Sequence, residues 1–277
     1  MIRFFAASSD ITGGLIQLRE EDAAHIRSLR LRPDELFTVC DGECTDYLCR
    51  LGERSAGSVA QIAAMYHSVG EPSVLCSIFI AFAKGDRLDY AIQKSVELGA
   101  YNIVLFPSER CVAIPGDIPK KIERLQRISL ETAKQCGRGR IPAVSAVDSF
   151  EAAINQAAMQ DETRKRIDCA SVPDSTHIAV SSIQDETRKR TGCAFELSLF
   201  FYECEENLHL KEAMEQCGND IKHISIVTGP EGGFEPRETE YAQSMGLISV
   251  SLGPRILRCE TAPVVALSSV MFYTGNL

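Results

Sequence analysis

Ile224-Ser225-Ile226-Val227-Thr228-Gly229-Pro230-Glu231-Gly232-Gly233 is an apolar run that stops at a Gly-rich turn. A second stretch has the same design. Leu247 to Leu252 is followed by Gly253-Pro254-Arg255-Ile256-Leu257-Arg258-Cys259-Glu260-Thr261-Ala262. Each run reads as a buried strand, and each turn leads into a helical pattern. Two such turns at the same end of adjacent strands build one ligand pocket, which is where open α/β sheets bind their ligands.

The chain upstream repeats this alternation. Val74 to Phe82, Ile103 to Phe106 and Leu197 to Tyr202 read as further strands. A helix follows Asp86 with an apolar stripe of Leu88, Ala91, Ile92, Ser95 and Val96, and Gly99 stands at its expected stop. Residues 119–136 predict another, with Ile122, Leu125, Ile128, Ser129 and Ala133 inside. Strands alternating with helices imply a parallel sheet with crossover helices. The last helix, Pro263 to Tyr273, is apolar nearly all round, so it belongs in the core or against another subunit.

Residues 1–70 differ. Leu36 to Cys40 and Tyr47 to Leu51 flank the turn signal Asp41-Gly42 and read as a hairpin. Val59 to Tyr66 fits a strand or a short helix, and only His25 to Leu31 is plainly helix-compatible. A small, mostly β module is expected, ending near Glu71-Pro72, with a second domain over 73–277. Residues 160–166 recur as 184–190, inside a charged segment of about 159–194 that reads as an exposed insertion.

Composition bounds the rest. With 277 residues and 45% hydrophobic content, a sizeable core is available. No stretch approaches the roughly 18 apolar residues of a membrane span, and the N-terminus lacks a signal-peptide core, so a cytoplasmic protein is expected. The 11 cysteines are scattered without Cys-x-x-Cys, and the five histidines lack ligand spacing, so no metal is expected. A net charge of −9 argues mildly against nucleic-acid binding. Yet Lys120 to Arg140 carries seven basic residues and two acidic ones.

The motifs narrow the chemistry. There is no Gly-x-Gly-x-x-Gly and no Gly-x-Ser-x-Gly. A phosphate loop would place Lys and Ser or Thr after its glycines; here Glu231, Glu235, Glu238 and Glu240 follow. Pro236 suits the first turn of the next helix, so that turn alone fits an ordinary strand-to-helix connection as well as a ligand loop. The second turn shifts the balance. Ile256 and Leu257 are aliphatics on a loop between Arg255 and Arg258, suited to line an adenine pocket, and Thr261 is placed to cap the last helix. Arg258 either pairs with Glu260 or orients a substrate. Arg138 and Arg140, flexed by Gly137 and Gly139, suit phosphate contacts.

These stretches resemble the RsmE family of small-subunit ribosomal RNA uridine methyltransferases, of the SPOUT class, over nearly the whole chain. The matching residues are Arg3-Phe4-Phe5, His25, Leu29-Arg30-Leu31, Asp41-Gly42, Lys84-Gly85-Asp86-Arg87-Leu88-Asp89, Lys94, Glu97-Leu98-Gly99 and Glu131 to Arg138, with both Gly-rich turns the most specific. Asp34 stands where the family usually has Gly, and Cys259 where it has Thr or Val. The resemblance implies a trefoil-knotted α/β domain, a PUA-like β-barrel at the N-terminus, a homodimer, and methylation of uracil N3 in small-subunit rRNA, with S-adenosylmethionine as cofactor. The expected cofactor cradle is Tyr202, Glu203, Thr228, Gly229, Pro230, Glu231, Gly232, Leu252, Gly253, Ile256, Leu257, Arg258 and Thr261. Arg138 and Arg258 are the candidates for stabilising the uracil anion, and Glu231 or Glu260 either for accepting its proton or for binding ribose hydroxyls, with water left open as the base. RNA contacts are expected from Arg3, Arg30, Lys84, Arg87, Arg124, Arg127, Lys134, Gln135 and Arg138.

Two rivals stand beside this reading. A non-catalytic RNA-binding or ribosome-assembly protein would keep the basic helix and the β module but has no need of Ile256-Leu257 beside two Gly-rich turns. An adenosine-nucleotide enzyme acting on a small molecule has no need of the basic segment. The acidic total predicts that the RNA is met in the assembled subunit through local patches.

Overall fold

A computed structural model describes residues 2–32, 35–52, 58–158, 195–217 and 221–277. The duplicated segments 160–166 and 184–190, the surrounding insertion and Asp34 lie outside the described residues. The larger sheet is built from β7 (Leu75–Ala81), β8 (Asn102–Phe106), β9 (Ala143–Ala146), β10 (Phe195–Phe201), β11 (Ile221–Thr228) and β12 (Ile248–Val250). Its order is β12-β10-β11-β7-β8-β9, and every pairing is parallel.

The helices are α2 (Arg87–Glu97), α3 (Ile118–Cys136), α4 (Phe150–Ala158), α5 (Leu210–Cys217), α6 (Pro236–Ser244) and α7 (Ala262–Tyr273). They cover both faces, which is why the strands are apolar almost without interruption. Alternate residues of β7 serve opposite layers. Ile78 and Ile80 pack with Leu88, Ile92, Leu125 and Leu267 under α2, α3 and α7. Phe79 packs with Phe106, Phe150, Phe200 and Phe234 under α4 and α6.

Residues 3–67 form a second sheet, ordered β1-β4-β5-β6-β3-β2. Its strands are β1 (Arg3–Phe5), β2 (Ile11–Thr12), β3 (Leu15–Gln17), β4 (Phe37–Cys40), β5 (Thr45–Leu51) and β6 (Val59–His67). β1 pairs parallel with β4 and the other pairings are antiparallel. With α1 (Glu20–Leu29) the sheet encloses Phe4, Ile16, Ile26, Phe37, Val39 and Cys49. The expected hairpin forms, with Gly42 at φ 79° in its turn. The ambiguous run from Val59 is a strand.

Several expectations shift. β9 and α4 are elements the sequence did not announce, because Ala143–Ala146 is short and only Val144 is buried. α1 begins at Glu20, ahead of its apolar residues. Thr261 precedes α7 but has helical backbone angles and makes no side-chain cap; Pro263 in the first turn sets the start instead. Glu235 caps α6 in a reciprocal pair with Glu238, so those two acidic residues serve the helix. Among the described residues no helix is long and apolar enough to cross a membrane.

Candidate active site at four strand ends

The carboxyl ends of β12, β10, β11 and β7 lie side by side, and a cavity of about 770 Å³ opens above them. That volume suits a ligand of nucleoside size or larger. Both Gly-rich turns contribute walls: Gly229, Pro230, Glu231 and Gly232 from one, Leu252, Gly253, Ile256, Leu257 and Arg258 from the other. Tyr202 and Glu203 follow β10, and Lys84 and Arg87 follow β7. The expected cradle therefore assembles almost entirely.

Backbone geometry explains the glycines. Gly233 has φ 70°, and a Cβ there would collide with the carboxylate of Glu203, which accepts the Phe234 N–H at 3.0 Å. Gly253 has φ 104°, and a Cβ built on it meets nothing within 4 Å, so the backbone there borders open space. Ile256 is 85% exposed, an aliphatic side chain held out at the rim.

Charge is concentrated at one point. The Glu231 carboxylate accepts the Lys84 backbone N–H at 2.7 Å and Arg87 Nη1–H at 2.6 Å. Arg87 Nε lies 3.7 Å from Glu260 Oε2. One arginine thus ties together both turns. Desolvation pushes the Glu231 carboxyl up, but the Lys84 and own-backbone N–H groups and the Arg87 charge outweigh it and hold it below its ordinary value. Glu260 behaves alike: desolvation opposes, and backbone and Cys259 hydrogen bonds with the Arg87 and Arg258 charges prevail. Cys259 is buried and donates to Glu260 at 3.2 Å; desolvation and that carboxylate push its thiol up to about 12. Both carboxylates are therefore ionised at neutral pH, and the thiol is not.

Other predicted residues do not join the cavity. Arg138 is the main correction. It is 3% exposed, and its side chain makes hydrogen bonds of 2.8–3.0 Å to Glu71 and to the carbonyls of Val96 and Ala100. Four of its five N–H groups are engaged and the side chain is buried, so it does not present a donor fork to a substrate anion or a phosphate. Arg3 is likewise committed, forked onto Asp46 at 2.6 and 2.7 Å and donating to the Arg138 carbonyl. Lys134 pairs with the buried Asp22 at 3.2 Å. Thr228 is fully buried and donates to the Phe79 carbonyl at 3.4 Å, so it braces the sheet. Thr261 is absent from the cavity walls.

Of the other expected RNA contacts, Lys84 and Arg87 line the cavity, and the rest are on the surface, away from its walls. Arg124 pairs with Asp89 and Arg127 lies 3.6 Å from Glu123; Arg30 and Gln135 are exposed. The sequence reading missed Val112, which joins the cavity from the segment after β8. Its signal was the same as that of Ile256: Val112 and Ile114 are aliphatics in a loop, and both are exposed. The loop is clamped below them by Arg110 on Glu235 and Ser108 on Glu238.

The molecule has close counterparts. A crystal structure of a ribosomal RNA small subunit methyltransferase E from Neisseria gonorrhoeae bound to S-adenosyl methionine superposes with a TM-score of 0.75, at 25% identity, covering 98% of this chain and 97% of that one. The protein of the same name from Bacillus subtilis is 28% identical over 93% of this chain and 90% of its own length. That of Aquifex aeolicus is 27% identical over 95% and 97%. The family model for the RNA methyltransferase domain matches residues 71–271, which span the parallel sheet and all four strand ends. The chain belongs to that family of RNA methyltransferases.

Proposed function

We propose that this protein methylates N3 of a uridine in small-subunit ribosomal RNA, taking the methyl group from S-adenosylmethionine. The observation that carries the reading is the cavity itself, bordered by two Gly-rich turns inside the matched family region. The walls fit the cofactor. Leu252, Ile256 and Leu257 offer apolar surface for an adenine, the peptide groups of Gly229, Gly232 and Gly253 offer donors and acceptors, and Gly253 leaves room where a side chain would intrude. Glu203 is exposed on the wall and placed to accept from a ribose hydroxyl or an ammonium.

Bound there, S-adenosylmethionine supplies an electrophilic methyl group. The protein's own work is to orient the uracil and to stabilise the ring once N3 has lost its proton. Glu231 and Glu260, held ionised below their ordinary values, are poor acceptors for that weakly acidic proton. Ionisation of N3 to bulk solvent before the transfer needs neither of them, and the two carboxylates serve to hold Arg87. Lys84, Arg255 and Arg258 are exposed at the mouth and suit the phosphates beside the target base.

The same reading extends to architecture. The parallel order around β11 and the family membership support a trefoil knot over 73–277, and the small sheet over residues 1–70 supports a PUA-like RNA-binding barrel. A homodimer would cover the groove beside α7, where Phe272 is 75% exposed and Leu277 60%. Assembled small subunits in the cytoplasm are the expected substrate, since a chain of net charge −9 must confine its RNA contacts to patches. Calorimetry with S-adenosylmethionine tests the cavity directly. Saturable binding, weakened by Gly253→Val, is expected; absence of binding with or without RNA contradicts the reading.

A further inference from the structure

Arg87 occupies a position that neither surface solvation nor simple phosphate contact explains. It begins α2, at the carboxyl end of β7, and its guanidinium reaches across to both Gly-rich turns. Nη1 donates to Glu231 at 2.6 Å, and Nε faces Glu260 at 3.7 Å. Those two contacts fix the plane of the group. The side chain still lines the cavity, and its Nη2 edge takes no acceptor among the described residues. An oriented pair of N–H donors at a ligand cavity is what stabilises charge that develops during a reaction, because no reorganisation is needed at that moment.

The other arginines lack this combination. Arg138 is engaged elsewhere, as shown above. Arg255 and Arg258 are exposed, and among the described residues neither is held by a side-chain hydrogen bond, so ordering them would cost side-chain entropy. The charge balance also allows an anion. Lys84, Arg87, Arg255 and Arg258 line the cavity against Glu203, Glu231 and Glu260, a local positive excess in an acidic chain.

We propose that Arg87 is a catalytic residue: its guanidinium, gripped by Glu231 and Glu260, donates to a carbonyl oxygen of the uracil ring as N3 gives up its proton. This rests on the reading of the site as an N3 methyltransferase. The proton passes to solvent, and its electron pair stays on the ring and forms the N3–CH3 bond. The donor's S–CH3 bond breaks with its pair remaining on sulfur. The charged and titratable groups that face Arg87 are Glu231 from the turn after β11, Cys259 and Glu260 from the turn before α7, and Lys84 from its own turn.

Single-turnover methyl transfer to small subunits, compared for the wild type, Arg87→Lys and Arg87→Ala, tests this across pH. The RNA carries either uridine or 5-fluorouridine, whose N3 proton is more acidic. Calorimetry gives each variant's affinity for S-adenosylmethionine, and the transfer is run at saturating donor, so that any loosening of the two turns is read apart from the chemical step. Their neutral-pH rates should fall about 100-fold. The deficit should shrink as pH rises, and most of the lost rate should return on the fluorinated RNA, where the anion forms unaided. A deficit equal on both RNAs and at every pH overturns the proposal, as does an unaffected Arg87→Ala. Absence of transfer by the wild type overturns the underlying reading, and the proposal with it.

Discussion

Arg138 and Glu71 grip each other through two parallel hydrogen bonds of 2.8 Å, Nε to Oε1 and Nη2 to Oε2, at the seam between the small sheet and the parallel one. Glu71 Oε1 also accepts the backbone N–H groups of Gly139 and Arg140. Arg3 from β1 reaches the Arg138 carbonyl at 3.1 Å, and Cys44 N–H reaches the Gly139 carbonyl at 3.1 Å. The Gly-flexed segment after α3 is thus a clasp between two sheets.

Removing one partner of a buried, forked pair leaves the other charge without compensation. Arg138→Ala should lose about 3–5 kcal/mol of stability, measured by urea unfolding. At temperatures where the variant is folded, its methyl-transfer rate should match the wild type. A folded, stable Arg138→Ala protein with a collapsed rate would return Arg138 to the reacting atoms.

Gly233, in the first Gly-rich turn, offers a sharper probe of the cavity. A methyl group there meets the Glu203 carboxylate and must also accept φ 70°. Gly233→Ala should cost about 1–3 kcal/mol from the backbone alone and displace Glu203 from the Phe234 N–H. Weaker S-adenosylmethionine binding is the expected result. Gly246→Ala carries a similar φ of 89° with nothing within 4 Å of the new carbon, and it lies outside the cavity. It should lose stability without losing donor affinity, and equal losses of affinity would contradict the assignment.

Acid should loosen the site in a defined way. Desolvation raises the Glu231 and Glu260 carboxyls, but hydrogen bonds and the Arg87 charge hold both below the ordinary 4.5. A group with a depressed folded pKa adds stability above its unfolded value, and that stability disappears as pH falls through the folded one. Glu231→Gln should therefore lower stability by a constant amount from neutral pH down to about 4.5, and the gap should close below it. A gap that widens in acid would contradict the pairing with Arg87.

Thiol chemistry gives an independent check on burial. Cys259 is buried and its thiol is pushed up to about 12 by desolvation and by Glu260, whereas Cys204 is exposed. The thiolate is the reactive form. Brief treatment with iodoacetamide near neutral pH should label Cys204 and leave Cys259 intact in mass-spectrometric peptide maps. Preferential labelling of Cys259 would mean that the turn at residues 253–261 is open.

The fold was legible where side-chain period and punctuation agree. β7, β8, β10 and β11 appear as runs too apolar to be half-exposed, and Asp86, Gly99 and Pro236 mark helix limits that hold. The cavity was legible for a related reason, since Gly229, Gly253, Ile256 and Leu257 have no local use on a solvated turn. The fate of the arginines was not. Arg138 and Arg87 look equally available in the sequence, yet one is buried at a sheet–sheet seam and the other opens on the cavity. The difference is made by Glu71, Glu231 and Glu260, which lie 67, 144 and about 170 residues from their partners. Long-range pairing of that kind leaves no periodic trace. Val144 of β9 and the polar start of α1 were hidden likewise, because their burial depends on neighbours and not on local pattern.

The central claim is that four neighbouring strand ends hold a methyl donor against a uracil of ribosomal RNA. Incubation of purified protein with immature small subunits and methyl-labelled S-adenosylmethionine, followed by nucleoside mass spectrometry of the rRNA, tests it most directly. One labelled nucleoside, 3-methyluridine, is the predicted product. Label on a ribose oxygen, on another ring atom, or on no nucleoside at all would contradict it.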